Sequence, residues 1–542
     1  MIPALRATGT RARRGRLLER ASGRPSALHA EPEAVRNLVS RLSDTGGAAG
    51  SVAIHETHIS WVFVGGGRAF KLRKPVVLPF LDYETPARRR AMAEAEIHLG
   101  RRLAPDLYRA VHALVVEGSA LGLAPVTDER AVDYLVEMRA FAQSDTLAAA
   151  IRDRSVPPRL AEELGARLAR FHAHCAARPH PAAAARARHA ARLNVEELRE
   201  LTRGAHDRTL DRLVRFLDAA LSAHATELDA RGRHGRLREG HGDLRAEHVL
   251  LTPRLAVIDP LEFDSGMRTL DSADELGFLV MDLLRLGAEP LAAEILRAYR
   301  AAGGDCGEDR LVWMFAVHRA LVRAKVAVLG DAHAPDPGGA ATGWLEVADR
   351  CAWRGRSIDA LVICGGSASG KSHLTGALAA RLGLPSLNTD VVRKELLGIP
   401  PWARAGTGAY TAEMSLRTYR TLGARTRALL ADHASVLVDG TFLGDRERAA
   451  FLETLGPRRR TVFVQCTVPL QVARDRARRR AHSVASPSDA TEEIVLAQGG
   501  PAGPFPDVAP AAQIILRTDR DGAAVQDDLD AMLDVRLDAG RR

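Results

Sequence analysis

Apolar and polar positions change their rhythm three times along the chain. Residues 31–42 have the spacing of a short helix, and 52–58 and 60–64 alternate as strands do. Gly65-Gly66-Gly67 marks a turn, and 68–72 reads as the returning strand of a hairpin. Residues 85–103 are spaced as a helix with Ala91, Ala95, Leu99 and Leu103 on one face, and 111–116 and 131–138 read as further strands. From Thr146 the pattern is mostly helical, over 160–174, 193–221, 272–286, 291–301 and 310–329. Two strand-like pieces, 248–251 and 255–258, interrupt it. A strand-rich lobe followed by a helix-rich lobe is expected, with a hinge near 137–141. Residues 330–343, with Pro335, Pro337 and several Gly and Ala, read as a linker. From Ile358 strand and helix alternate, which predicts a parallel α/β sheet. No apolar run approaches the roughly 18 residues of a membrane span, so no membrane partner is expected.

Composition sharpens this only in places. The 542 residues carry a formal charge of +9, but 1–30 hold seven Arg (6, 11, 13, 14, 16, 20, 24) against Glu19. That start alone is +6 and leaves +3 for the rest. Residues 1–30 therefore read as a disordered basic tail, a transit peptide or nucleic-acid arm being the other readings; the apolar core of a secretory signal is missing. A near-neutral body with 4% aromatic residues argues against a nucleic-acid partner. Cys175, Cys306, Cys351, Cys364 and Cys466 form no C-x-x-C pair, so a reduced, cytoplasmic chain is expected. Lys occurs only at 71, 74, 325, 371 and 394. An Arg-dominated chain that keeps so few Lys invites the question of what a compact ammonium does there.

Lys371 answers it. The apolar run 361–364 leads into Gly365-Gly366-Ser367-Ala368-Ser369-Gly370-Lys371-Ser372, and a helical pattern follows at once. This is G-x-x-x-x-G-K-S in strand–loop–helix context, a P-loop. Its glycines let backbone N–H groups wrap a phosphate chain, Lys371 reaches the β/γ-phosphates, and Ser372 ligates Mg²⁺. ATP and Mg²⁺ are the expected cofactors. A second apolar strand, 436–438, ends in Asp439, suited to holding Mg²⁺. Asp390, at the end of 387–390, would take a proton from an acceptor hydroxyl or cap the next helix. Arg393 and Lys394 follow one turn later and would bind an anionic substrate. Residues 471–480 carry Arg474, Arg476, Arg478, Arg479 and Arg480, the pattern of a lid bringing Arg, Arg476 among them, to a transferring phosphoryl group. With Asn388-Thr389-Asp390 and Val438-Asp439-Gly440-Thr441-Phe442, residues 358–520 resemble the small P-loop kinases of the gluconate kinase and zeta-toxin type.

A second cluster lies upstream. Gly240-His241-Gly242-Asp243-Leu244 is followed by Arg245-Ala246-Glu247-His248 and then Val257-Ile258-Asp259-Pro260. Asp243 would orient or deprotonate a hydroxyl and Asp259 would hold Mg²⁺. The kinase-like pattern that these residues resemble implies that Lys71, on the hairpin strand, would pair with the α/β-phosphates, and Glu96 (or Glu94) with Lys71. These residues resemble the catalytic and metal loops of aminoglycoside phosphotransferases over residues 31–330. Glu56-Thr57-His58-Ile59-Ser60-Trp61-Val62-Phe63, Phe70-Lys71-Leu72-Arg73-Lys74-Pro75-Val76 and Arg101-Arg102-Leu103-Ala104-Pro105 are similar to a two-part bacterial family, the bifunctional aminoglycoside phosphotransferase/ATP-binding proteins. The resemblance implies a metal ligand at His248, where the family's Asn falls; imidazole is a poorer Mg²⁺ ligand than an amide oxygen. Glu262 and Asp264 are candidates to compensate.

The expected architecture is a basic tail over 1–30, a two-lobed α+β kinase-like domain over 31–330, a linker over 331–357 and an α/β P-loop domain with a parallel sheet over 358–542. The expected function is phosphoryl transfer from ATP to a small-molecule hydroxyl acceptor. The alternative is an ATP-switched regulator whose first half only binds a ligand. A nucleic-acid 5′-kinase or toxin-like enzyme fits less well.

Overall fold

The computed structural model describes residues 30–43, 52–78, 81–330, 337–400, 403, 407–481, 491–498 and 503–537. The basic tail, but for Ala30, and residues 331–336 of the expected linker lie outside them. The chain divides into two compact units. One comprises Met1–Ala183, Leu228–Gly307 and Val326–Pro337; the other comprises Ala184–Glu227, Glu308–Lys325 and Gly338–Arg542. The second unit thus draws its helices Asp207–Ala223 and much of Ala183–Thr202 from the middle of the sequence. Where an open linker is expected, Pro337–Arg356 is a helix with Leu345, Ala348, Cys351 and Trp353 buried. The helix expected over 193–221 is two helices, broken where Arg203 and Gly204 take positive φ.

In the first unit an antiparallel sheet runs β1 (Ala53–Glu56), β2 (Ser60–Gly65), β3 (Arg68–Arg73), β4 (Tyr108–Glu117), β5 (Ala120–Pro125) and β6 (Asp133–Arg139), in spatial order β1-β2-β3-β6-β4-β5. The β2–β3 turn places Gly66 and Gly67 at φ +58° and +71°, a conformation only glycine adopts cheaply. β3 is interior, so Ala69 through Arg73 are buried, Lys71 and Arg73 included. The helix Pro86–Gly100 is capped by the Thr85 hydroxyl, which accepts from the Arg88 N–H at 3.3 Å. Its buried stripe is Arg89, Ala93, Glu96, Ile97, Leu99 and Gly100, whereas Ala91 is exposed. Two charged residues therefore face inward, and Arg89 is met there by Asp133 at 2.8 Å. The strand-like pieces near 250 shrink to a short antiparallel pair, Val249–Leu250 with Ala256–Val257. The nearly all-buried helix Ser272–Arg285 is started by Asp271, whose carboxylate accepts from the Ala273 N–H at 2.8 Å.

In the second unit β7 (Ala360–Cys364), β8 (Ser386–Asn388), β9 (Val436–Asp439), β10 (Thr461–Thr467) and β11 (Gln513–Arg517) make a wholly parallel sheet in the order β8-β9-β7-β10-β11. The uniform apolarity of β7 follows from burial on both faces. Leu361 and Ile363 join a core with Leu374, Leu378, Leu529 and Leu533. Ala360, Val362 and Cys364 join another with Tyr419, Leu422, Phe442 and Phe451. Each buried Leu or Ile contributes on the order of 2 kcal/mol.

The middle helices are held in this unit by charge. Arg356 pairs with Asp530 at 3.1 Å and Asp534 at 2.8 Å, and Arg381 with Asp530 at 2.8 Å and Asp349 at 3.2 Å. From the helix Asp207–Ala223, Arg212 reaches Asp349 at 3.4 Å and Asp527 at 3.2 Å, while Phe216 lies under the Arg356 guanidinium. Asp530 is 1% exposed. Removing one carboxylate from such a cluster strands buried guanidinium groups. Asp530→Ala is therefore expected to cost about 3–5 kcal/mol in urea unfolding of this unit. A loss below about 1 kcal/mol, the range of exposed pairs, would mean the network is solvated.

Candidate functional sites

The P-loop site is built by strand register. In the sheet Ile363 lies opposite Asp439, and Asp439 opposite Asn388, so the loop after β7 opens beside the ends of β9 and β8. The loop needs left-handed backbone: Gly365, Ala368 and Gly370 sit at φ +127°, +60° and +93°. A Cβ on Gly365 would fall 2.4 Å from the Cys466 carbonyl oxygen. Ala368 is held in its costly conformation by packing with Val468, Ala473, Ala477 and Val495. The Lys371 ammonium donates to the Gly366 carbonyl at 2.8 Å, and the Ser367 N–H donates to the Gln498 side-chain oxygen at 2.6 Å. Ser372 opens the following helix and is exposed. Among the described residues, Ser369 Oγ and Arg476 Nη1 at the loop are buried without a hydrogen-bond partner. Arg476 Nη1 would lie 3.3 Å from a Cβ on Gly370, while Nη2 is anchored on the Thr518 carbonyl at 2.8 Å. Unspent donors against a glycine cradle at a helix N-terminus fit a phosphate chain.

Asp439 is 3% exposed, and its Oδ2 accepts from the Asn388 side-chain amide at 2.9 Å. The helix Thr389–Leu396 is capped by Asn388, not by Asp390; its side-chain oxygen accepts from the N–H groups of Asp390 and Val391. Asp390 instead pairs with Arg393 at 3.0 Å. Arg393 is buried under the ring of Tyr410, and Lys394 is 1% exposed, so neither presents an open cation to an anionic substrate. Of the lid arginines, Arg474 and Arg478 bond to Glu492 rather than turning to the loop. Arg476 does lie against the loop, its Nη1 close to Gly370, beside Ala473 and Ala477, which pack on Ala368. Sequence reading missed Gln498 and Thr518; the Thr518 hydroxyl donates to the Ser369 carbonyl.

The upstream site assembles Lys71, Glu96 and Asp259. Lys71 Nζ lies 3.1 Å from Glu96 Oε1 and 3.0 Å from Asp259 Oδ1, whereas Glu94 pairs on the surface with Arg90. Burial works against the Lys71 charge, but Asp259, Glu96 and Glu262 hold its pKa well above the usual lysine value. Against desolvation, Lys71 and the rings of His248 and His241 hold Asp259 well below the usual carboxylate range. Arg73, two residues along β3, bonds Glu96 and also Glu262 at 3.1 Å, and Glu262 accepts from the Tyr83 hydroxyl at 2.8 Å. Asp264 accepts from the N–H groups of Gly266 and Met267. Glu262 is thus engaged with Arg73 and Tyr83, and Asp264 is tied to its own turn through Oδ1. Asp243 is gripped by Arg245, with Nε and Nη2 each 3.0 Å from a carboxylate oxygen. His248 uses both ring nitrogens: Nδ1 lies 2.8 Å from the Asp243 carbonyl and Nε2 3.1 Å from Arg245 Nη2. Neither is left over for a metal, which corrects its expected role. Among the described residues no group of three or more His, Cys, Asp or Glu side chains is arranged to hold a metal ion.

The loop before Asp243 is fixed from behind by Glu275. Its Oε1 accepts from the N–H groups of His241 at 2.5 Å and Gly242 at 2.7 Å, and its Oε2 lies 2.8 Å from His172 Nε2. His172 is in turn 2.8 Å from the Tyr299 hydroxyl. His172 is thus part of the frame of the site. Its partners lie 103 and 127 positions away, out of reach of any local pattern.

A family model described as an AAA domain matches residues 361–500, so the second unit carries a P-loop domain, which implies nucleotide use. Over 465 residues, 82% of this chain and 89% of theirs, the chain is 28% identical to uncharacterized proteins of Mycobacterium bovis and Mycobacterium tuberculosis. Among solved structures, a gluconokinase from Sinorhizobium meliloti is 19% identical, covering 33% of this chain and 93% of that one, with a TM-score of 0.25. A choline/ethanolamine kinase family protein from Mesorhizobium loti is 16% identical, covering 59% and 94%, with a TM-score of 0.36. Scores this low say nothing about the chemistry of this chain. No helix among the described residues is long and apolar enough to cross a membrane.

Burial pushes the Glu275 carboxyl up, but His172, His241 and the Gly242 N–H more than offset this and bring it to about 2. A depressed carboxylate stabilises the fold above its unfolded value of roughly 4.3 and loses that contribution as pH falls through about 2. The difference is on the order of 3 kcal/mol. Glu275→Gln, which keeps an acceptor but not the charge, is expected to be less stable at neutral pH and to lose stability less steeply between about pH 4 and pH 2. Parallel acid-unfolding curves for the two proteins would count against the ionised Glu275 clamp.

Proposed function

We propose that this chain is an ATP-dependent phosphotransferase acting on a small-molecule hydroxyl acceptor, with the P-loop unit as its principal engine and the upstream site as a second nucleotide site. The observation that carries this reading is the glycine cradle with its unspent donors, Ser369 Oγ and Arg476 Nη1, beside Asp439 at the C-terminal end of β9 and Asp390 just past the end of β8. Gly365–Ser372 and Arg476 would hold the phosphates of ATP, and Ser372 and Asp439 would hold Mg²⁺, which when bound neutralises phosphate charge. Lys371 has to leave the Gly366 carbonyl, and Gln498 the Ser367 N–H, before phosphates enter. Asp390 takes the proton of the acceptor hydroxyl as the hydroxyl oxygen bonds to the terminal phosphorus and the bond to the departing ADP breaks. A small acceptor fits a body whose charge is nearly balanced outside residues 1–30. The five free, buried cysteines fit a reducing cytoplasm.

A second reading has the upstream unit bind a ligand without turnover. The grip of Arg245 on Asp243 favours it, since a base whose oxygens are both engaged by a guanidinium is a weak one. The two readings separate in one assay: Mg²⁺-dependent ATP consumption across sugars, amino sugars and aminoglycosides, for wild type, Lys371→Ala, Asp243→Ala and the double variant. Lys371→Ala is expected to lower acceptor-stimulated turnover at least 100-fold. Loss on Asp243→Ala alone would move the engine upstream. Full activity in the double variant would sink the phosphotransferase reading.

A further inference from the structure

The upstream site spends its charges unusually. Phosphoryl transfer in kinase-type sites commonly uses two divalent ions, one on the Asp of the metal loop and one on an oxygen ligand in the catalytic loop. Here the first place is the more accessible: Lys71 meets Asp259 at Oδ1, Oδ2 lies 3.7 Å from His248 Nε2, and the side chain is 49% exposed. The second place is filled. Arg245 lies between Asp243 and His248, its side chain 12% exposed, donating to both Asp243 oxygens and approaching His248 Nε2 at 3.1 Å. A guanidinium only donates, so His248 Nε2 accepts and the proton sits on Nδ1, which donates to the Asp243 carbonyl at 2.8 Å. That tautomer turns the imidazole lone pair to Arg245. An imidazole is in any case a poor partner for a hard cation. The remaining Arg245 nitrogen, Nη1, meets Glu247.

We infer that Arg245 stands in the place and charge role of the second divalent ion, so that the upstream site is a one-metal site with a fixed guanidinium beside Asp243. The inference rests on the reading of this site as a nucleotide site. A guanidinium is always charged and rigidly forked, so it can neutralise the catalytic-loop carboxylate, the charge a second divalent ion would otherwise meet, without being recruited from solution. His248 is then a positioning residue: it holds the fork in plane and ties it to the backbone of Asp243.

The test uses the full chain with Lys371→Ala and Ser372→Ala, which disables the P-loop and leaves the upstream site as it is. Binding of Mn²⁺, read by electron paramagnetic resonance, is titrated in the presence of a saturating non-hydrolysable ATP analogue, whose own stoichiometry is measured calorimetrically. One Mn²⁺ per bound nucleotide is expected. Adding Arg245→Ala and His248→Asn should raise the count to two, whereas Arg245→Lys, which keeps the charge without the fork, should keep it at one and weaken Mn²⁺ affinity no more than about threefold. Two Mn²⁺ per nucleotide with Arg245 and His248 in place would overturn the inference and leave a nucleotide site standing. No bound nucleotide would overturn both. A count that stays at one after the paired substitution would also overturn it, because the guanidinium would then not be what fills the second place.

Discussion

A guanidinium taken out of water has to be met by carboxylates, and the architecture of this protein follows from how often it obeys that rule. Desolvating two charges costs several kcal/mol each, recovered only where geometry is close and the remaining donors are answered. Arg89 is answered by Asp133 and by the carbonyls of Tyr83 and Glu84. Arg231 is answered bidentately by Asp271, the same carboxylate that starts the helix bearing Glu275. Arg448 binds Asp507 and the carbonyls of Phe442 and Leu443, pinning the loop that leaves Asp439. In each case an ion pair fixes the start of a segment on which a site residue depends.

The same rule explains what could be read from the chain in advance. β7 and its loop were legible because their signal is local: a doubly buried strand, glycines where the backbone turns left-handed, then a helix. The order Lys71, Glu96, Asp243, Asp259 was legible as a pattern, and those residues do converge, save that Asp243 is turned to Arg245. The buried stripe of Pro86–Gly100 was not legible, because Arg89 and Glu96 look like surface residues until Asp133 and Lys71 are brought to them. Nor was the passage of 184–227 into the P-loop unit. It depends on Arg212 finding Asp349 and Asp527, 137 and 315 positions away.

Buried pairs also make the two sites different materials. At the upstream site each cation is met by carboxylates, Lys71 by two, Arg73 by two through Nη2, and Arg245 by Asp243 and Glu247, while Arg73 Nε and Nη1 are buried without a hydrogen-bond partner among the described residues. A ligand that draws on Lys71 or Arg245 must exchange bonds for bonds, and its net gain there is small unless it brings its own cation. At the P-loop, a serine hydroxyl and an arginine nitrogen are buried without partners among the described residues, and a left-handed alanine is held in place by packing. Buried unpaired donors cost free energy in the empty protein, and an anion that satisfies them recovers it.

Gln498 brings the two strategies together. Its side-chain oxygen occupies the Ser367 N–H, so the cradle is partly answered by the protein itself, from a helix tied through Glu492 to Arg474 and Arg478. A carboxamide is a neutral acceptor and a phosphate a charged one, and charge-assisted hydrogen bonds are roughly twice as strong. A neutral stand-in can therefore lower the cost of the empty loop without competing strongly once phosphate arrives. The carboxylate of a Glu at that position would compete on equal terms.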